Sequence, residues 1–313
     1  IQIGTPLGQD VLLVTAFSGR EGLGEMFDFH IDVISEKTSI EATEIVGKGT
    51  TLSIRMPDAA NGSPRFRHWN GVVTDFIQTS SQVEKYTSYR LRLRPWFWLL
   101  TRTSDCQIFQ NMTVIDIVQK IFSNFKFADF ANKTTRSYET REYCVQYRET
   151  GANFVMRLFE EEGIYCYFEH EEKKHTLVMA DNSPAASALP IQSKFRWEPV
   201  RGTAAEGQED TISGWERRFQ IQPKRWMLQD YNFETPHNDV KGITDTIVQN
   251  SVPNYEMFDY PGLFKDSGLG GTMSKNRMQE SESAYEVIFA QGSGRSMKPG
   301  FRWRVMRRWR SRG

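Results

Sequence analysis

Residues 89–94, with the sequence YRLRLR, alternate between apolar and basic side chains. Successive side chains of an extended strand point to opposite faces, so a period of two predicts a strand with one buried face and excludes an amphipathic helix. The apolar face consists of Tyr89, Leu91 and Leu93, and the basic face of Arg90, Arg92 and Arg94. We expect the strand to end at Pro95, which has no N–H to donate to a neighbouring strand.

The same alternation recurs in the first hundred residues, for example over residues 27–33 and 52–56. Between these segments, residues 57–64 (PDAANGSP) are rich in turn-forming residues and predict a loop. Residues 79–82 (TSSQ) are polar and predict a second turn. The pattern as a whole predicts a meander of antiparallel strands.

After residue 100 the apolar period becomes that of a helix. The first predicted helix lies near residues 114–124, with Thr113 as its N-cap and Asp116 in position to complete a capping box. Its predicted buried face consists of Val114, Ile117, Val118, Ile121 and Phe122.

A second helix is predicted near residues 152–162, where Thr150 can cap its start. Gly163 suits the left-handed residue that commonly ends a helix. Residues 164–180 then predict a hairpin of two strands joined by the polar turn HEEKKH. The buried face of this helix is predicted to consist of Phe154, Val155, Leu158 and Phe159.

Glu160, Glu161 and Glu162 lie in the last turn of the second helix. The helix dipole disfavours negative charge there by a few tenths of a kcal/mol. Consecutive helical residues point about 100° apart, so these carboxylates cannot converge on one substrate. A glycosidase would also need an opposed acid, which the sequence does not indicate. We interpret the glutamates as a solvated or interface face.

His170 and His175 have the spacing of zinc-finger histidines, but the required cysteine pair is missing and Cys166 alone leaves the site one ligand short. We interpret both histidines as polar residues beside a charged turn. None of the five histidines lies in a recognisable hydrolase signature. The glycines of residues 268–271 lack the lysine of a phosphate-binding loop. We therefore expect no catalytic residue, metal or cofactor.

The chain has 39 basic and 39 acidic residues, a balance that gives no overall field to attract nucleic acid or an anionic membrane. No apolar run approaches the roughly 18 residues of a spanning helix, and the start lacks a signal-peptide pattern. We therefore expect synthesis in the cytoplasm and no stable membrane insertion. The cysteines have unrelated spacings and are predicted to be reduced core thiols: Cys106, Cys144 and Cys166.

A connector rich in Pro, Ala and Ser, residues 182–190, leads into a second strand-rich region. Within that region residues 262–276 are rich in glycine and predict a mobile loop. Residues 300–313 contain six arginines and two tryptophans, a composition that also suits nucleic-acid binding. We favour the end of a barrel strand, because Phe301, Trp303 and Val305 share one face.

Six motifs together resemble the VgrG family, the spike-hub proteins of bacterial type VI secretion, and related hubs of contractile phage tails. The likeness spans roughly residues 10–300, and its most specific part is the block that ends in EEEGIYCYFEH. The motifs are FSGREGLGEMFDFHIDVIS (17–35), IVGKGTTLSI (45–54), FRHWNGVVTDF (66–76), YRLRLRPWFWLL (89–100), YRETGANFVMRLFEEEGIYCYFEH (147–170) and DYNFETP (230–236).

The resemblance implies a mainly β fold with an α+β insert. It places a first antiparallel β-barrel-like domain at 1–100, the insert at 101–187, a second β-barrel-like domain at 188–300 and a junction at 301–313. The family's collar, needle and occasional effector domains follow the hub and do not fit within these residues. Arginines 302–312 depart from the pattern we associate with the junction to the collar.

The resemblance also implies a structural function without enzymatic activity. Three chains would form a trimer with six barrels, able to stack on a hexameric ring of the tube protein Hcp. Further implied partners are baseplate components and, through the part that follows the hub, spike-tip and effector proteins. The protein would assemble at the baseplate and be injected into target cells.

Two other functions stay open on the sequence alone: a hub of a phage or prophage baseplate, and a cell-wall hydrolase carried on a spike. For contacts with other proteins we select two candidate surfaces. The first is the basic strand face, which would line the channel or meet the next ring, and the second is the helix end: Arg90, Arg92, Arg94, Glu160, Glu161 and Glu162.

Overall fold

The computed structural model describes residues 1–83, 85–183, 186–198, 209–248 and 255–306. Its first element is a curled six-stranded antiparallel sheet with the strand order β1-β4-β5-β6-β3-β2. The two edge strands, β1 and β2, approach each other and bring the sheet towards a barrel. The strands are β1 (Gln2–Gly4), β2 (Leu13–Arg20), β3 (Asp28–Ser35), β4 (Gly49–Met56), β5 (Arg65–Val83) and β6 (Tyr86–Arg94). A single helical turn, α1 (Ala42–Ile45), precedes β4.

The alternation in β6 is confirmed, because Tyr89, Leu91 and Leu93 are all buried. The loop at residues 57–64 is also confirmed. The predicted turn at residues 79–82 is wrong, since β5 continues to Val83. Gln82 pairs with Thr87 of β6 across this long hairpin. Pairing along the partner strand therefore outweighs the weak strand propensity of the polar segment.

A second group of elements follows the sheet and contains helices, a ribbon and a hairpin. In chain order they are a 3₁₀ helix (Trp96–Arg102), β7 (Ser104–Met112), α2 (Val114–Ser123), β8 (Phe130–Asn132), β9 (Arg141–Thr150), α3 (Gly151–Glu162), β10 (Tyr165–His170) and β11 (His175–Ala180). Strands β7 and β9 form a two-stranded ribbon, and β10, β11 and β8 form a small sheet.

Both predicted helices and the hairpin are confirmed. The Thr113 hydroxyl accepts a bond from the Asp116 N–H, and the Asp116 carboxylate accepts one from the Thr113 N–H. Thr150 caps α3, and Gly163 ends it with φ of 67°. Local signals suffice here because each cap is satisfied within three residues of the helix end.

One hydrophobic core joins the sheet to the second group of elements. It runs without a break from Phe27 and Leu91 of the sheet to Phe122 of α2 and Leu158 of α3. The predicted boundary near residue 100 therefore does not separate two cores. The predicted domain limits at residues 100, 187 and 300 stay predictions.

The rest of the chain forms two smaller sheets with separate small cores around Phe195 and Leu228. One sheet has the order β17-β13-β12-β18 and the other β15-β14-β16. Their elements are β12 (Lys194–Trp197), β13 (Thr211–Phe219), β14 (Arg225–Asp230), β15 (Val240–Asp245), β16 (Glu256–Asp259), α4 (Ser267–Ser283), β17 (Glu286–Gly292) and β18 (Arg304–Met306).

The mainly β class with an α+β insert is confirmed. Strands pair in parallel between β12 and β13, β12 and β18, and β14 and β16, a detail that the alternation of side chains does not encode. The predicted face of the last strand is present, since Phe301, Trp303 and Val305 pack on the Phe195 core. Residues 307–313 of the predicted junction lie outside the described residues.

The predicted mobile loop at residues 262–276 is wrong, because most of it belongs to α4. Asp266 caps this helix by accepting bonds from the N–H groups of Gly268 and Leu269. A Cβ on Gly242 of β15 would lie 1.9 Å from the carbonyl oxygen of Gly270. The glycines thus allow close packing of helix on sheet, and this contact outweighs their low helix propensity.

All three cysteines are free thiols, as predicted. Cys144 and Cys166 are buried, whereas Cys106 is exposed, so its predicted place in the core is wrong. Cys106 pairs with Tyr147 across the β7–β9 ribbon, on the face opposite Phe109 and Cys144. Within the described ranges, no helix combines the length and apolar character needed to cross a membrane.

Candidate interface surfaces and the buried joint

The basic face of β6 is an ion-paired row on the six-stranded sheet. Arg90 Nε lies 2.6 Å from Asp32 Oδ1 on β3, and Arg92 pairs with Asp28 on the same strand. Arg94 Nη1 lies 3.3 Å from Asp75 Oδ2 on β5. Cross-strand neighbours of opposite charge stabilise a sheet modestly and fix the direction of the long side chains.

The exposure of this row decreases along the strand. The exposed fraction of the side chain is 49% for Arg90, 34% for Arg92 and 14% for Arg94. Arg94 and Arg102 also stack on Trp98, with their guanidinium carbons 4.7 and 4.3 Å from the ring centroid. Arg90 is therefore the arginine of this row best placed to meet another molecule.

The glutamates that end α3 each have an arginine partner. Arg141 of β9 donates to Glu161 Oε2 at 2.7 Å and to Glu162 Oε1 at 2.6 Å. Arg277 of α4 lies 3.2 Å from Glu160 Oε1. These cations offset the unfavourable position of three carboxylates at a helix C-terminus.

A further cation completes the end of α3. Arg136 donates to the carbonyl oxygen of Glu162, one of the carbonyls left without a helical partner. Glu161 and Glu162 are mostly buried beneath Arg141, while the Glu160 side chain is 61% exposed. Glu160 is thus the only member of this cluster with an extensively exposed carboxylate.

His170 and His175 flank the charged turn as predicted, but the side chains of both are buried. The amide N–H of Trp96 donates to His175 Nε2 at 2.7 Å. His175 Nδ1 therefore carries the proton and donates to Asn70 Oδ1 at 2.7 Å. These bonds hold one neutral tautomer of His175 in place.

Asn70 of β5 is the centre of this buried joint between the sheet and the hairpin. Its side-chain amide donates to Thr51 Oγ1 at 2.8 Å. Thr51 donates in turn to the carbonyl oxygen of Glu172 at 2.6 Å. His170 Nδ1 lies 3.1 Å from the Asn70 backbone nitrogen. The turn between β10 and β11 is therefore anchored to β4 and β5.

His170 also borders a buried ion pair. Its Nε2 lies 3.5 Å from Glu21 Oε2, and Glu21 Oε1 accepts a bond from Arg67 Nη2. Burial lowers the pKa of His170, and burial together with the neighbouring His170 lowers that of His175 to about 3. Burial raises the pKa of Glu21, but His170 and Arg67 outweigh it and leave a lowered value.

Sequence reasoning missed this joint because its members lie far apart in the chain. His170 and Asn70 are separated by 100 residues. The available signal was the placement of both histidines at the strand ends of a predicted hairpin, where their rings can point inward. In the part of the chain that the structure describes, no group of three or more His, Cys, Asp or Glu side chains could hold a metal ion.

Exposed apolar residues are a third candidate for contacts, and most of those in the described ranges lie in the second half of the chain. Several belong to β13 and β17, and others to β16 and the loops beside β14. Within the second half the most exposed are Phe219, Ile221, Tyr231, Phe233, Ile243, Ile247, Tyr255, Phe258, Tyr260 and Leu263. Where such side chains adjoin one another, they are candidates for contacts with other proteins.

The chain matches the phage tail baseplate hub (GPD) family over residues 20–310. This match covers nearly all of the chain, including both β-regions and the insert. The chain belongs to the phage tail baseplate hub family. The resemblance indicated by the six sequence motifs is therefore confirmed.

The curated relatives that the chain resembles include spike proteins. The type VI secretion system spike protein VgrG1a of Pseudomonas aeruginosa is 35% identical over 97% of this chain. The actin cross-linking toxin VgrG1 of Vibrio cholerae is 28% identical over 95% of this chain. The hub chain spans only 46% of the first relative and 27% of the second.

A solved Escherichia coli protein, c3393, shares the hub fold with a TM-score of 0.70 and 20% identity. The match covers 98% of this chain and 67% of the other. That protein is described as a component of the type VI secretion system that resembles the T4 tail proteins gp27 and gp5. The fold of this chain is thus that of a tail hub.

Proposed function

We propose that this chain forms the structural hub of a type VI secretion spike, assembling as a trimer that caps the hexameric Hcp tube. The observation that carries the proposal is the family match over residues 20–310. The concentration of exposed apolar residues in the second half supports it, because obligate interfaces bury large apolar areas.

In this proposal the sheet of the first half faces the tube. Arg90 presents its guanidinium beside Asp32 at the surface, where it can exchange part of its contact for a carboxylate on a neighbouring ring. Glu160 offers one further exposed charge at the end of α3. Glu161 and Glu162 contribute less, since Arg141 already binds both.

The hub itself carries no chemistry in this proposal. The actin cross-linking named for the Vibrio cholerae relative belongs to a protein of which this chain matches only 27%. Effector and spike-tip partners would bind the part of the protein that follows the hub, which is delivered with it into target cells. A phage or prophage hub is the second candidate, favoured by the family description itself.

The experiment combines mass measurement with ring binding. Sedimentation of the purified chain is expected to give three times the 36.3 kDa chain mass. Electron microscopy of mixtures with Hcp rings is expected to show density on the ring ends. Phage tail-tube rings are tested in parallel, and the ring that is bound distinguishes a secretion-spike hub from a phage hub. Folded chain that remains monomeric and binds neither ring would refute the proposal.

Matched variants test the basic row. Arg90→Gln removes the exposed charge and is expected to weaken binding to the rings at low salt, while the trimer persists. Arg55→Gln is the control, because this arginine is also exposed but lies on β4, where it pairs with Asp58 of the following loop instead of with the row. Equal binding by both variants would exclude the row from the contact.

A further inference from the structure

Strands β13 and β17 form an exposed two-stranded arm, made of residues 216–219 paired with residues 286–289. Every residue of β17 is exposed, and so are all four of these β13 residues. Val287, Ile288 and Phe289 expose between 36% and 45% of their surface. Phe219 exposes 54%. The arm is thus open to solvent and carries four exposed apolar side chains beside four charged ones.

Apolar side chains occupy both faces of the arm. Because successive residues alternate, Ile288 and Phe219 lie on one face while Val287 and Phe289 lie on the other. Arg218 covers the Phe289 ring only in part, with its guanidinium carbon 4.6 Å from the centroid. A two-stranded ribbon has little stability of its own and needs a packing partner.

A second exposed apolar surface lies at one end of the β15-β14-β16 sheet. We name it the loop cluster, and it consists of Tyr231, Phe233, Tyr260 and Leu263. Each of these residues exposes more than half of its surface. Tyrosine side chains in this setting are frequent anchors of protein contacts.

The loop cluster is held in place by hydrogen bonds. Asp230 Oδ2 accepts from the N–H of Leu263 at 2.6 Å and from that of Phe264 at 3.3 Å. Leu263 has φ of 61°, a left-handed conformation that is costly for a leucine. The backbone is therefore fixed with an exposed leucine in a strained conformation, as is common at binding sites.

We infer that the arm of one copy packs against the loop cluster of the next copy, so that three chains close a head-to-tail ring. This inference rests on the proposed trimer and names its two contact surfaces. A threefold ring requires two different complementary surfaces on each chain, whereas one self-complementary surface gives a dimer. The arm and the loop cluster belong to different sheets of the second half and meet that requirement.

The arm supplies part of the area that this contact needs. Four residues per strand extend about 13 Å, and two strands are about 10 Å wide, so each face offers about 130 Å². Both faces together supply roughly a third of the ~800 Å² that each partner buries in a stable interface. Exposed side chains that flank the arm on the same copy can supply the remainder.

Two charge-introducing variants test the pairing. Phe289→Glu disables the arm and Leu263→Glu disables the loop cluster, and each side chain is exposed enough for the chain to fold. Sedimentation is expected to show each variant alone as a monomer. An equimolar mixture is expected to form a dimer with one copy of each, because one intact arm meets one intact cluster and the ring cannot close.

Tyr147→Glu is the matched control, since this residue is 63% exposed but lies on the β7–β9 ribbon, and it is expected to remain trimeric. Circular dichroism checks folding, and Val287→Glu replaces Phe289→Glu if the latter misfolds. Trimeric variants, or a mixture without dimers, would overturn the inference while leaving the proposed hub intact. If the wild-type chain itself were monomeric, that result would instead contradict the proposed function.

Discussion

Asn70 and His175 are 105 residues apart, yet their side chains form a buried hydrogen bond of 2.7 Å. Asn70 belongs to the first sheet and His175 to the hairpin that follows α3. The bond therefore lies inside the contact between two parts of the chain that share one core. Its partners on either side, Thr51 and Trp96, extend it into a network.

Asn70→Ala is expected to lower the free energy of unfolding by about 2–3 kcal/mol, because the variant leaves the buried His175 N–H without an acceptor. Urea unfolding followed by fluorescence measures this change. Asn61→Ala is the control: its side chain bonds only the Ser63 N–H in an exposed loop. A loss of less than 0.5 kcal/mol for Asn70→Ala, within about the range of ordinary surface changes, would contradict a stabilising role for the joint.

Acid is expected to destabilise the first half through its buried histidines. Burial lowers the folded-state pKa of His175 from its usual 6.5 to about 3, so the stability it contributes is fully present above pH 6.5 and is lost as the pH falls towards 3. His170, whose pKa is also lowered, acts in the same direction. Each such group contributes a slope of up to about 1.4 kcal/mol per pH unit.

Urea midpoints measured between pH 7.5 and 4 test this dependence. His175→Gln is expected to be less stable at pH 7 but to have a shallower slope below pH 6.5, because one titrating group is gone. His237→Gln, at an exposed position, is the control for the substitution itself. Parallel curves for wild type and His175→Gln would show that His175 does not titrate on unfolding.

Arg141→Ala is expected to cost about 2–3 kcal/mol, since it leaves Glu161 and Glu162 mostly buried without their shared cation at a helix C-terminus. Adding Glu161→Gln and Glu162→Gln to this variant should recover part of the loss by removing the repulsion. Thermal unfolding is compared for the wild type, Arg141→Ala, the double Glu→Gln variant and the triple variant. The comparison measures the coupling between Arg141 and the two glutamates. Lys265→Ala, which breaks an exposed pair with Glu142, should change stability by less than about 1 kcal/mol.

Two glycines near α4 are expected to respond in opposite directions. Gly242→Ala would place a Cβ 1.9 Å from the carbonyl oxygen of Gly270, so it should destabilise the second half by more than about 2 kcal/mol. Gly271→Ala meets nothing within 4 Å and should stabilise the helix by about 0.5–1 kcal/mol. Denaturant unfolding of both variants compares them, and equal effects would argue against close packing at Gly242.

The elements predicted from sequence are those whose causes are local. Thr150 and Gly163 mark both ends of α3, and the alternation of residues 89–94 marks β6 and its buried face. The order of the six motifs indicates the hub family, and the match over residues 20–310 confirms it. The arginine partners of Glu160–Glu162 lie on other elements and could not be assigned from spacing.

The remaining differences come from contacts distant in the chain. The glycine-rich composition of residues 262–276 predicts a loop, but packing on Gly242 of β15 makes most of the segment a helix. His170 and His175 look like turn residues until Asn70 and Trp96 are placed beside them. Phe289 fits a buried strand by its residue type, and its exposure depends on which surfaces the rest of the chain covers.

The single core that unites the first sheet with α2 and α3 has a mechanical consequence. Under an axial thrust this half of the hub should transmit force as one rigid block, because sliding the hairpin along the sheet would break bonds at Asn70 and open the core. The second half has two small cores and should deform first. Contacts with neighbouring copies would then limit the deformation of the second half, so the stiffness of the assembled particle would depend on contacts between its chains.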